Sequence, residues 1–188
     1  MKKLLFITVI LSGWITMASE ADSLHHLFGA SFSGYSGSGL TYRLRNCDHY
    51  SIKIAGYYLS GMDTRESNVT DSRDKTVQYN FGMEYQKNLI RRDYMLFYLS
   101  VGTDYYYASE EEPIDDQKIT DIFNLGLGLG IDMNVYYNSG FPGVLLFMSL
   151  GEKYFIETEK RYSNNIKIRT DQLRGFTLTG SVGIGVEF

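Results

Sequence analysis

Apolar and polar residues alternate most regularly in residues 173–188, which predicts a long β-strand. Large apolar side chains occupy one parity, at Phe176, Leu178, Val182, Ile184, Val186 and Phe188. Small or polar residues occupy the other, at Thr177, Thr179, Ser181, Gly183, Gly185 and Glu187. Successive side chains of a strand point to opposite faces, so one face is apolar and the other small or polar. Strands of soluble proteins usually span about five or six residues, and this segment is much longer.

Seven other segments alternate in the same way and bring the predicted number of strands to eight. They are residues 24–33, 38–45, 49–62, 75–88, 94–109, 118–135 and 143–159. The alternation is clearest in 118–135 and weakest in 143–159. The sequence therefore predicts an all-β fold, an eight-stranded antiparallel up-and-down transmembrane β-barrel.

The predicted connections differ in length in a regular order along the chain. One set comprises a short turn at 34–37 and long polar loops at 63–74, 110–117 and 160–171. The other set comprises short turns at 46–48, 89–93 and 136–142. Bacterial outer-membrane barrels have short periplasmic turns and longer outer loops, so the first set is predicted to lie outside. A soluble sandwich has no reason to sort its loops by parity.

The parity opposite the apolar face is predicted to line a narrow interior. The interior of a closed eight-stranded barrel is just wide enough for side chains to fill it, and this parity carries Gly126, Gly128, Gly130, Gly183 and Gly185. The charged residues on it balance in sign, at Arg43, Arg45, Lys53, Glu84, Asp104, Asp132, Lys153 and Glu187. Buried charges are tolerated when they are paired and hydrogen-bonded. We therefore expect a polar, closed interior.

The first residues have the layout of a secretory signal peptide. Lys2 and Lys3 precede an apolar run over residues 4–15, which is shorter than the roughly 20 residues that span a bilayer. Small residues then offer cleavage after Ala18 or Ala21. We expect residues 1–21 to be a signal peptide and residues 22–188 to form one barrel domain.

Charge and composition exclude some functions. The formal net charge is −4 and no basic run is present, so a nucleic-acid partner is not expected. The single cysteine, Cys47, cannot form an internal disulfide. Tyrosines cluster near predicted strand ends, at residues 57–58, 105–107 and 136–137, which is typical of the aromatic girdles at membrane interfaces.

With these features the chain resembles the small Gram-negative outer-membrane barrels of the OmpA transmembrane domain and OmpX class. The resemblance rests on the signal peptide, the strand and loop parity, and the C-terminal residues 183–188. It implies a bacterial outer-membrane location, contact with membrane lipid and lipopolysaccharide, and a monomer. It also implies assembly by the barrel-assembly machinery through the C-terminal strand ending in Phe188. Extracellular partners would bind at loops 63–74, 110–117 and 160–171.

Some barrels of this kind are enzymes that act on lipid A, and such an activity requires catalytic residues. His49 and Ser51 have the His-x-Ser spacing of a deacylase type, but their parity places them near the periplasmic turn. A palmitoyltransferase type needs an interior hydrocarbon pocket, whereas the inward parity here is polar and rich in glycine. The pair His25–His26 lacks further metal ligands, and the acidic residues at 110–116 lack EF-hand spacing.

No catalytic residue, cofactor or metal site is therefore predicted. The expected function is a structural, adhesive or interaction role through the outer loops. The alternatives are a lipid A-modifying enzyme, a narrow pore and a soluble lipocalin-like periplasmic binder.

Overall fold

The computed structural model describes residues 24–46, 49–67, 70–92, 94–112, 116–136, 143–164 and 166–188. In this part of the chain eight β-strands follow one another: β1 Leu24–Ser33, β2 Gly39–Asn46, β3 Tyr50–Ser67, β4 Thr70–Arg92, β5 Met95–Glu112, β6 Asp116–Tyr136, β7 Gly143–Ser163 and β8 Ile166–Glu187. Each strand pairs antiparallel with the next, and β1 pairs with β8 to close a barrel. The predicted eight-stranded all-β fold is confirmed. No helix in the described ranges is long and apolar enough to span a membrane.

The barrel has an apolar outer surface and a polar interior. Phe176, Leu178 and Leu150 point outward, with 78%, 81% and 78% of their surface exposed. Arg43 and Glu84 point inward and are fully buried. A water-soluble barrel has the reverse arrangement, with its apolar residues inside. An exposed apolar belt this large is rare on soluble monomers. It is the arrangement expected where lipid surrounds the barrel.

The strands are unequal in length, and this divides the barrel into two halves. β1 and β2 have 10 and 8 residues, whereas β3–β8 have 18 to 23. β1 pairs with β8 only as far as Ser33↔Ser181, and β2 pairs with β3 only as far as Leu40↔Gly56. Beyond these points the wall is an open six-stranded sheet. We call this part of the barrel the outer half. Residues 57–67 of β3 and 166–179 of β8 are paired on one side only, and we call them the free edges of β3 and β8.

The predicted long loops are wrong in their extent, because most of their residues are strand. β3 and β4 stay paired up to Ser67↔Thr70, and β7 and β8 up to Ser163↔Ile166. In the third case β5 runs to Glu112 and β6 begins at Asp116. The polar composition of these segments does not interrupt the backbone pairing of the strands. The outer connections are therefore tall hairpins with short turns.

A β-bulge accounts for another difference at the inner end. The predicted turn at 89–93 is mostly strand, because β4 continues to Arg92 through a register shift between Asn88 and Ile90. The extra residue breaks the alternation that a regular strand would show. The predicted signal peptide, Cys47 and residues 137–142 lie outside the described residues.

Candidate functional site in the barrel interior

Buried ion pairs cross the inner half of the barrel and join strands that are distant in sequence. Arg43 Nη1 on β2 donates a hydrogen bond to Asp132 Oδ2 on β6, at 2.6 Å. Arg45 Nη1 lies 3.7 Å from the same carboxylate, and its Nη2 donates to both oxygens of Glu187 at 2.6 and 2.9 Å. His25 Nδ1 adds a contact to Glu187 at 3.3 Å. The predicted inward position of these charges is confirmed.

A second pair occupies the middle of the barrel. Lys53 on β3 forms a salt bridge with Glu84 on β4, and both side chains are fully buried. Lys53 also donates to Ser36 Oγ at 2.9 Å, and Gln86 donates to Glu84 at 3.0 Å. Every charge named here has an opposite charge beside it, which is the condition under which buried charges are tolerated.

The β1–β2 connection folds into the barrel, which the sequence did not predict. Tyr35 and Ser36 are both fully buried. Tyr35 Oη is 2.8 Å from Ser100 Oγ and 2.9 Å from Ser149 Oγ, so the ring spans the interior between β5 and β7. Gly37 has φ +85°, a left-handed conformation that favours glycine, at the point where the chain turns back toward β2. The predicted surface turn at 34–37 is instead an internal plug.

Inward glycines provide the space for aromatic rings. A β-carbon on Gly126 would lie 2.6 Å from Cβ of Tyr35, and one on Gly128 would lie 2.6 Å from its hydroxyl. Gly130 faces the ring of Tyr98 in the same manner. The prediction that these glycines relieve crowding is confirmed, but the sequence did not show which side chains need the space.

The interior is less polar than predicted. Leu27, Leu145 and Phe147 form a buried apolar cluster on the inward parity of β1 and β7. The guanidinium of Arg43 lies 4.5 Å from the ring centre of Phe147, within cation–π range. Alternation in β7 is poor because both of its faces carry large apolar residues near the inner end, and this obscured the cluster in the sequence.

A cluster of polar side chains lies next to the Tyr35 plug, on the side of the outer half. Asp104 Oδ2 accepts hydrogen bonds from Asn80 and Asn124, each at 3.1 Å. Asn80 Oδ1 accepts one from the backbone N–H of Ser38, at 2.6 Å, which ties the plug to the wall. Lys153 is on the same inward face, half-buried, and interacts electrostatically with Asp104. Asp104 and Lys153 therefore lie inward as predicted, but at the outer end of the interior.

Aromatic side chains mark two levels on the outer surface. Tyr79 and Tyr107 stack at 4.9 Å, and Tyr154 and Phe176 lie 5.1 Å apart, toward the outer end. Phe28 stacks on Phe188 at 5.7 Å near the inner end. Of the tyrosines predicted for the girdles, Tyr107 belongs to the outer level. Two of the predicted tyrosines, Tyr57 and Tyr106, do not belong to a girdle. Each is the cross-strand neighbour of Asn80, which points inward, so both lie on the inward face.

Beyond the outer aromatic level the surface becomes charged. Tyr105 donates to Asp121, which also accepts a hydrogen bond from Lys160 at 2.9 Å. Further out, hydrogen bonds from Arg161 and Lys118 lower the pKa of the partly exposed Glu159 carboxyl. Exposed ion pairs of this kind contribute little to stability. They indicate that the hairpin ends face water.

The sequence candidates for catalysis are not brought together. His49 lies in the β2–β3 turn at the inner end, opposite the tall hairpins, while Ser51 is fully buried on the inward face. His26 Nδ1 contacts Tyr42 Oη at 2.8 Å, and His25 contacts Glu187. The described residues contain no group of three or more His, Cys, Asp or Glu that could hold a metal ion.

An apolar outer surface, aromatic levels at both ends and a packed polar interior define the fold as an eight-stranded transmembrane β-barrel. No protein-family model matches the chain. No curated protein sequence is significantly similar to it. Among solved structures, a major outer membrane protein from Thermus thermophilus is similar, with 12% sequence identity and a TM-score of 0.49. The similarity covers 89% of this chain and 100% of that one.

Proposed function

We propose that this protein is an integral bacterial outer-membrane barrel that acts through its outer hairpins, as a structural or adhesive element. The reversal of polarity between its two surfaces carries the proposal. Lipid-facing Leu178 is 81% exposed, whereas Arg43, Lys53 and Glu84 are fully buried. In water this arrangement would expose a continuous apolar belt, whereas in a bilayer the belt is solvated by lipid.

The interior supports a binding role in preference to conduction or catalysis. Tyr35 and the Arg43–Asp132 pair cross the space through which a solute would pass. The fully buried charges pair with one another, Arg43 with Asp132 and Lys53 with Glu84, and are not directed toward a shared cavity. Interaction is then left to the hairpins that rise beyond β1 and β2. Their ends fall within the predicted partner segments 63–74, 110–117 and 160–171.

A gel-shift experiment tests the membrane-barrel assignment. Residues 22–188 would be refolded in detergent and run unboiled and boiled on the same denaturing gel. A closed barrel resists the detergent until it is heated, so the unboiled band should migrate differently from the boiled one. A soluble monomer in plain buffer, with no shift in detergent, would contradict the proposal and favour a periplasmic binder.

The hairpin role requires a second experiment in cells. One variant would replace residues 160–171 by a tight turn that keeps the β7–β8 pairing below it. Adhesion to host cells, and aggregation between bacteria, should fall while the amount of protein in the outer membrane stays unchanged. A matched control would shorten the inner-end segment 137–142, which should leave adhesion unaffected. Equal adhesion in all three strains would argue against a role for this hairpin.

The proposal extends to assembly and oligomeric state. The terminal strand is expected to be recognised by the barrel-assembly machinery through the segment ending in Phe188, and the protein is expected to be a monomer surrounded by lipid and lipopolysaccharide. Cross-linking in intact cells followed by an unboiled gel would reveal a dimer if this expectation is wrong.

A further inference from the structure

A groove crosses the lipid-facing wall beside the tip of the β1–β2 hairpin. Its volume is about 960 Å³, which is within the range of small-molecule sites. Outward side chains of β6, β7 and β8 line most of it, among them Leu129, Met148, Leu150 and Val182. Gly180 lies between Leu150 and Val182 and has no side chain to fill the space. The groove is therefore apolar along most of its length and opens to the surrounding lipid.

The far end of the groove is polar and lies beside Lys153. Ser33, Gly34, Ser38 and Thr179 line this end. A β-carbon placed on Gly34 would overlap Thr179 Oγ1 and would lie 3.9 Å from Lys153 Nζ. Lys153 does not itself line the groove, but its ammonium group lies close to Gly34, which does.

Lys153 differs from the other inward cations because its charge is not neutralised by a close contact. Arg43, Arg45 and Lys53 each form an ion pair with a carboxylate. Within the described residues, Lys153 has no ion pair and no hydrogen bond, and its interaction with Asp104 acts at longer range. Asp104 is engaged by Asn80 and Asn124. An ammonium that is half-buried and lacks a contact partner can bind an anion.

The free edge of β8 adds backbone polarity at the same place. The backbone of Gly180 accepts a hydrogen bond from Gly34, and every second residue of an antiparallel strand faces the same neighbour. The backbone N–H and C=O of Leu178 therefore point to the side on which β1 would lie. Because β1 ends at Ser33, no strand pairs with Leu178 on that side. Its carbonyl accepts a 3.3 Å hydrogen bond from Thr177 Oγ1. The N–H of Leu178 has no strand partner on this side, so it can donate to water or to a polar group at the gap.

The gap lies near the level of the lipid headgroups. Lys153 is followed by Tyr154, whose ring contacts Phe176 at 5.1 Å on the outer aromatic level. Aromatic belts of this kind mark the membrane–water interface. A polar group at the gap and an apolar chain running down the groove would thus have the orientation of a lipid in the outer leaflet.

We propose that the groove and Lys153 together bind one phosphate-bearing lipid, with an acyl chain in the groove and the phosphate on the Lys153 ammonium. The proposal rests on the assignment of the protein as an outer-membrane barrel. It adds a specific lipid site to an otherwise non-specific lipid-facing surface. An anionic amphiphile fits both ends of the site, whereas an uncharged one leaves Lys153 without a partner.

Native mass spectrometry of the refolded barrel tests the site with two probes. Dioleoyl phosphatidic acid carries a phosphate, and dioleoylglycerol has the same chains without one. The wild type should retain phosphatidic acid about tenfold more strongly than dioleoylglycerol, as expected for one charge-assisted contact. Lys153→Gln should remove this preference, and Lys153→Arg should keep it. Lys167→Gln removes an exposed lysine on the β7–β8 hairpin and should change nothing.

A second variant tests the groove independently of charge. A β-carbon on Gly180 would lie 3.0 Å from Ser149 O and 3.3 Å from Leu150 Cδ2. Gly180→Leu should therefore fit after a small adjustment and occupy the groove. Retention of both lipids should fall severalfold. Val186→Leu enlarges another outward side chain of β8, away from the groove, and should leave retention unchanged.

The outcomes separate this proposal from the barrel assignment. If the wild type shows no heat-dependent gel shift, the assignment itself fails. If it shows the shift but does not prefer phosphatidic acid, the lipid site is wrong and the barrel assignment stands. Equal losses in Lys153→Gln and Lys167→Gln would show that net charge alone attracts the lipid, and this too would overturn the site. If Gly180→Leu retains both lipids as strongly as the wild type does, the acyl chain does not lie in the groove, and that part of the proposal is wrong.

Discussion

Arg43 and Asp132 meet at 2.6 Å in the barrel interior, although 89 positions separate them in the sequence. Both side chains are almost completely withdrawn from solvent. Removal of one partner leaves the other as a buried, unpaired charge, which typically costs about 3–5 kcal/mol. Asp132→Ala should therefore lower the free energy of unfolding by that amount, measured by urea titration in lipid vesicles.

A surface carboxylate provides the comparison for Asp132. Asp121 also forms an ion pair, with Lys160 at 2.9 Å, but both side chains remain in contact with solvent. Asp121→Ala should cost only about 0–1 kcal/mol, because water replaces the lost partner. Similar losses for Asp121→Ala and Asp132→Ala would show that the interior is hydrated well enough to solvate Arg43.

Tyr35 should stabilise the barrel mainly through its ring. Tyr35→Phe loses the contacts to Ser100 and Ser149, but Ser149 keeps its 2.6 Å contact with Ser181. The expected cost is about 1 kcal/mol. Tyr35→Ala also leaves a cavity and should cost about 3–5 kcal/mol. The same urea titration measures both, and equal effects would mean that the hydroxyl and not the ring holds the plug in place.

Gly130 should not tolerate a side chain while Tyr98 is present. A β-carbon at Gly130 would overlap the Tyr98 ring, whereas one at Gly61 would meet nothing within 4 Å. Gly130→Ala should cost about 1–3 kcal/mol as overpacking, and Gly61→Ala should cost nothing. Tyr98→Leu in the Gly130→Ala background should recover part of the loss. Strictly additive effects in this double-mutant cycle would contradict direct contact.

Leu129 should face lipid near the middle of the bilayer. Leu129→Arg should cost about 2–4 kcal/mol in vesicles, as for other cations on the lipid face of a barrel. Ile168 offers a matched control, because it is 63% exposed and Leu129 is 62% exposed, but Ile168 lies on the outer free edge of β8. Ile168→Arg should change stability by less than about 0.5 kcal/mol. If both substitutions are neutral, the outer surface of β6 does not face lipid.

Strand number, facing and closure could be predicted because alternation is a local property of the sequence. The inward positions of Arg43, Lys53 and Asp132 follow from parity alone. Strand ends were less well predicted. Residues 63–74 have the polar composition of a loop, but the ladder of backbone hydrogen bonds continues to Ser67↔Thr70. At Asn88 a bulge changes the parity, so a strand looked like a turn.

The contacts of the interior could not be predicted, because they join residues far apart in sequence. Tyr35 occupies space left by Gly126 and Gly128 on another strand, and no local pattern links the three. One local feature does indicate that Tyr35 is special, because it is a large ring in a connection otherwise made of glycine and serine. The position of Lys153 beside Gly34 likewise depends on where the β1–β2 hairpin ends.

Because the β1–β2 hairpin is short, β8 has two parts that differ in how firmly their backbone is held. Gly183 and Gly185 of β8 are paired on both sides, with β7 and with β1, whereas Leu173 and Gln172 are paired with β7 alone. Amide hydrogen exchange depends on how readily such pairing opens. Along β8 the protection of backbone amides should therefore fall at Gly180, from a slowly exchanging closed ring to a sheet margin that opens more readily. The outer half can then change its curvature while the ring beneath it stays closed.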